Sequence, residues 1–163
     1  AGERVISCPR TSLRPQAQTN ANSGAGDKPR PVVDDLAVLR LGEIYLLTPE
    51  RVKSYSVEGN SIHYEQAAAE RAGFRAPLIG GGMGVHYLTA QMWHDRRPKS
   101  FAASIYFRRP IFWDEAVQVG VIEEGDSWTG MGLLKLPMAG TGTAASQPAK
   151  VGTELSLASY QLA

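Results

Sequence analysis

Apolar and polar positions alternate through much of the second half of the chain. In FAASIYFR, Phe101, Ala103, Ile105 and Phe107 fall on one face, against Ala102, Ser104, Tyr106 and Arg108 on the other, the period of a half-buried strand. EAVQVGVIEE repeats the alternation through Val117, Val119 and Val121, and EGD at 124–126 supplies a turn. SWTGMGLLKL follows as a strand, and after a loop rich in Gly, Thr, Ala and Ser comes the final strand, KVGTELSLASYQL. The first half reads differently. An apolar-periodic stretch, LAVLRLGEIYLL, leads into TPERVKSY, where Thr48 can cap a short helix and Pro49 suits its first turn. YEQAAAERAGF is an alanine-rich helical segment that Gly73 can close in a left-handed conformation. MGVHYLTAQMWHD predicts a further helix of about three turns, with Val85, Leu88, Thr89, Met92 and Trp93 on its buried stripe. Strand, helices, then three or four antiparallel strands is an α+β order, with one long helix for the sheet to cover.

The pattern breaks near the N-terminus. PQAQTNANSGAGDKPRP has no large apolar residue, so 16–32 is expected to be a flexible linker. Before it, residues 1–15 contain GERVISCPRTSL, a strand-like segment with no partner strand nearby in sequence. A lone strand does not fold by itself, so it is expected to join the following sheet or to belong to a preceding unit. Residues 33–163 form the expected domain, and 43% hydrophobic residues are enough to give it a core. A formal net charge of +1 argues against general attraction to nucleic acid or to an anionic membrane surface. No apolar run reaches the roughly 18 residues of a spanning helix, and the start lacks a signal-peptide pattern, so a soluble, cytoplasmic protein is expected. The single cysteine, Cys8, cannot form an internal disulfide. His86 and His94 are not spaced i, i+4 as a helical zinc pair would be, and no metal is expected.

Chemistry-bearing residues concentrate in EGNSIH at 58–63 and IGGGMG at 79–84. A carboxylic acid and an imidazole five positions apart can move a proton between them, and glycines opening a helix allow close approach to its amides. IGGGMGVH does not match a dinucleotide fingerprint.

Four ordered segments carry a resemblance. Glu58-Gly59-Asn60-Ser61-Ile62-His63, then Gly73-Phe74, then Ile79 to Met83, and then FRRPIFWDEAV with Pro110 and Asp114, resemble the MaoC-like, (R)-specific enoyl-CoA hydratase family of the hot-dog fold. That family's motifs read D-x-N-P-[IL]-H, G-F, I-A-H-G-M and F-x-x-P-V-x-x-G-D. This chain departs at Glu58 for the aspartate, Ser61 for the proline, Gly81 for the histidine of H-G-M and Trp113 for the glycine of G-D. The resemblance implies a hot-dog domain that adds water to a trans-2-enoyl thioester in the syn sense. His63 would then deprotonate the water, Glu58 would shuttle the proton to Cα, and Asn60 would orient the water. The amides around Gly81, Gly82 and Met83 would bind the thioester oxygen. No cofactor is expected beyond coenzyme A or acyl carrier protein as the substrate's carrier, and the partner implied is a second hot-dog unit, as homodimer or pseudo-dimer. Tyr55, Leu78, Tyr87 and Phe107 are candidates for shaping the acyl pocket, and Arg96, Arg97, Lys99, Arg108 and Arg109 for meeting phosphates. Two alternatives stay open: a non-catalytic hot-dog module, and a hot-dog thioesterase whose carboxylate activates water against the carbonyl.

Overall fold

The computed structural model describes residues 29–56, 59–136 and 149–162. The strand-like N-terminal segment, Cys8, Glu58 and most of the Gly/Thr/Ala/Ser-rich loop lie outside these residues. Contacts divide the chain into two units, Ala1–Arg30 and Pro31–Ala163, and the second holds all the regular structure described. Its elements are β1 (Leu39–Leu46), α1 (Pro49–Tyr55), α2 (Gln66–Arg71), α3 (Gly81–Asp95), β2 (Pro98–Phe107), β3 (Ala116–Glu124), β4 (Ser127–Leu136) and β5 (Lys150–Leu162), with 3-10 turns at Leu36–Val38 and Ser61–His63.

The strands form one antiparallel sheet in the order β1-β3-β4-β5-β2. β3 and β4 are joined by a tight turn in which Gly125 takes a positive φ of 61°, and the two strands fall on EAVQVGVIEE and SWTGMGLLKL, as expected. α1 begins as expected, with the Thr48 side chain accepting from the Arg51 amide and Pro49 in the first turn. Gly73, at φ 84°, follows α2.

α3 packs on one face of the sheet, the inner face. Leu88 and Met92 meet Val117, Val119, Val121, Met131, Leu133 and Leu155 there, all of them buried. The helix differs from expectation in two ways. It starts at Gly81, two residues earlier, and its buried stripe is Met83, Gly84, Tyr87, Leu88, Gln91 and Met92. Trp93, expected in the core, is 52% exposed. Two residues that hydropathy does not reward explain the rotation. Gly84 comes so close to the sheet that a Cβ there would lie 2.9 Å from Thr153 Oγ1. Gln91 is buried because its amide is used at both ends, accepting from the Glu43 N–H and donating to Asp95.

The outer face is covered by residues 31–38. Val33, with Leu36 beside it, packs on Leu39, Leu134 and Val151, and a Cβ on Gly130 or Gly132 would lie 2.6 or 3.0 Å from Val32 or Val33. The Glu154 carboxylate is 1% exposed and accepts from the Val32 and Val33 amides and from Arg108 Nε, the last at 2.6 Å. Three donors of this kind make a buried carboxylate tolerable. No helix among the described residues is long and apolar enough to cross a membrane.

Candidate active site

His63 is the last residue of a one-turn 3-10 helix. Gly59 takes a φ of 94° two residues before that turn, and Asn60 caps it, its side-chain oxygen accepting from the Ile62 amide at 3.4 Å. Asn60 is exposed, and this local bond is the contact its side chain makes. The half-buried His63 ring places Nδ1 2.7 Å from the Leu78 carbonyl oxygen. A carbonyl can only accept, so Nδ1 carries the hydrogen, and Nε2 of the neutral ring keeps its lone pair.

Leu78 is held firmly in turn. Its N–H donates to Ile62 O, the Ile79 N–H donates to Ile111 O, and the Trp113 N–H donates to Pro77 O. Arg75 grips both oxygens of Asp114 at 2.8 Å and lies over the Phe112 ring. Hydrogen bonding to Arg75 holds the Asp114 carboxyl below the usual carboxylate range, against a smaller opposing effect of burial. The segments bearing His63, Gly73-Phe74 and Pro110 to Asp114 thus form one bonded unit behind the imidazole. Such a support fixes both the tautomer and the direction of a ring nitrogen.

The imidazole faces the start of α3. A Cβ on Gly80 would lie 3.7 Å from His63 Nε2, one on Gly82 3.7 Å from the Tyr55 hydroxyl, and one on Gly81 2.7 Å from Phe107 Cζ. α3 has no side-chain cap. The Met83 N–H donates to Gly80 O at 2.9 Å, while the Gly81 and Gly82 amides find no acceptor among the described residues. Gly81 and Gly82 are exposed and the Met83 side chain is buried in the core. His63, Gly81, Gly82, Tyr55 and Phe107 therefore converge, with a basic nitrogen and two open N–H donors at the positive end of a helix. Glu58 lies outside the described residues.

Other candidates lie elsewhere. Tyr87 is buried against Tyr45, ring centroids 4.5 Å apart, and burial is the main reason its hydroxyl pKa is raised. Arg108 is tied to Glu154 on the outer face, Arg109 Nη1 donates to Val151 O, and Arg96 lies over Trp128. His94 pairs with Asp95, and no group of three or more metal-ligating side chains occurs among the described residues. Sequence reasoning missed the Leu78 carbonyl as the partner of His63. A backbone acceptor leaves no trace in side-chain identity.

The architecture is the hot-dog fold, an antiparallel sheet around one long helix, as found in solved (R)-hydratases and MaoC-like dehydratases. An (R)-hydratase from A. caviae involved in PHA biosynthesis is similar at 14% identity and a TM-score of 0.56, over 80% of this chain and 99% of that one. HtdX from Mycobacterium tuberculosis is similar at 18% identity and a TM-score of 0.61, and a MaoC-like dehydratase from Phytophthora capsici at 17% and 0.50. The match covers 89% and 71% of this chain respectively, and this chain spans 52% and 39% of those two proteins. No family model matches the chain, and no curated protein does.

Proposed function

We propose that this protein is an (R)-specific hydratase of enoyl thioesters, adding water across a trans-2-enoyl group carried on coenzyme A or acyl carrier protein. The observation that supports this most is the direction of His63: Nδ1 is occupied by Leu78 O, and the basic Nε2 faces the glycine-lined start of α3. In the reaction His63 Nε2 takes a proton from water as the oxygen bonds to C3. The electron pair of the alkene moves toward the thioester, and the charge gathering on its oxygen is met by the Gly81 and Gly82 amides. C2 then receives a proton from Glu58, the proposed shuttle, which takes up in turn the proton that His63 removed from the water, while Asn60 orients the water. Both proton movements on one side give syn addition.

A partner completes the proposal. Among the described residues β2 is paired on one side only, by β5, and its inner face leaves Phe101, Ile105 and Phe107 exposed. A second hot-dog unit, as homodimer or pseudo-dimer, would cover them, and light scattering on the full chain checks this.

Purified protein given crotonyl-CoA is expected to remove the enoyl absorbance and form the (3R)-hydroxyacyl product. His63→Ala should lower that rate by about a hundredfold or more without changing the unfolding midpoint appreciably. Release of free thiol without hydration would replace this reading with a thioesterase, and inactivity toward every chain length with a non-catalytic module.

A further inference from the structure

The family resemblance places a histidine where this chain has Gly81, and the space of that missing side chain is filled from another element. Phe107, the last residue of β2, lies on the inner face opposite Thr153 and is 63% exposed. Its ring tip stands over Gly81, so that a Cβ there would sit 2.7 Å from Cζ and 2.8 Å from Cε1. Unbonded carbons ordinarily stay about 3.5–4.0 Å apart, so only a residue without a side chain at 81 permits this ring position.

We propose that Phe107 is a specificity-determining residue that, through its fit against Gly81, restricts the protein to short, unbranched acyl chains. The proposal rests on the hydration reading above and names its substrate class. With the thioester oxygen at the Gly81 and Gly82 amides and C3 beside His63, the chain beyond C3 must leave within a bond or two of the Gly80–Gly82 turn. Three side chains flank that turn: His63 at Gly80, Phe107 at Gly81 and Tyr55 at Gly82. Of these the exposed Phe107 ring is the bulky apolar one, and it takes the volume that further methylenes would need. His63 cannot yield, being held by Leu78 O.

The test compares wild type, Phe107→Ala, Phe107→Leu and Gly81→Ala/Phe107→Ala on the full chain. Hydration is followed with crotonyl-, hexenoyl- and octenoyl-CoA, and binding is measured separately with butyryl- and octanoyl-CoA. Phe107→Ala is expected to raise the octenoyl-to-crotonyl ratio of kcat/KM by about tenfold or more, the scale on which apolar pockets discriminate added methylenes, with Phe107→Leu intermediate. The octanoyl-to-butyryl binding ratio should move the same way, and the double variant should keep the long-chain preference. A wild type that hydrates while Phe107→Ala leaves both ratios within twofold overturns the proposal and leaves the hydration reading standing. A binding ratio that shifts in a protein that hydrates nothing supports Phe107 and removes the hydration reading. No binding of any thioester removes both.

Discussion

Glu154 and Leu155 are neighbours on β5, both almost fully buried, and they face opposite sides of the sheet. Leu155 joins an inner layer made of aliphatic, aromatic and Met side chains against α3. Glu154 lies under residues 31–38, where close packing depends on glycines in β4 and on a carboxylate that binds two backbone amides and one guanidinium. The inner layer is stabilised by apolar area and tight packing, which carry no preference for a particular bonded geometry. The outer layer covers less apolar surface and depends on polar groups that are costly when left unpaired. One strand can thus rest on two different kinds of physics, and its two faces should fail differently.

The largest effect is expected from Leu155→Ala, which should lose about 2–5 kcal/mol in urea unfolding, since it deletes a fully buried side chain from a core that can only partly collapse. Glu154→Gln should cost less, about 1.5–3 kcal/mol, by removing the charge that Arg108 and the two amides require while keeping the shape. Equal costs, or a Glu154 variant with no cost, would break the distinction between the faces. The smallest effect concerns the support behind His63. The folded Asp114 carboxyl is held below its unfolded value by Arg75, so its contribution is present above about pH 4 and is lost as pH falls through the folded value. The pair is half exposed, and Asp114→Asn should cost only about 0.5–1 kcal/mol at pH 7. The gap between variant and wild type should narrow below about pH 4, and a gap that widens there would reverse the assigned direction.

Much of this was readable in the chain itself. The Thr48 cap and the β3, β4 and β5 strands follow from local chemistry, from the alternation through Val117, Val119 and Val121 in β3 and from the turn residues between strands. The spacing between Glu58 and His63 and the glycines at 80–82 marked the candidate site. The α3 stripe was misread at Trp93 because its buried side includes Gly84 and Gln91, which enter for close approach and for hydrogen bonding. Residues 31–38 looked like linker and domain start, since Pro, Val and Asp there have no period of their own. Their place over Gly130, Gly132 and Glu154 is set by partners more than ninety positions away.

Sequence alone determined the element order, the α+β class and which residues could move protons, because each depends on near neighbours in the chain. Only the tertiary structure decided that Leu78 O selects the His63 tautomer, that Phe107 occupies the space over Gly81, and that Glu154 is buried under the segment before β1. Those three depend on backbone atoms and empty volumes brought together from distant segments, and neither a carbonyl oxygen nor a missing Cβ announces its future neighbour in the order of the residues.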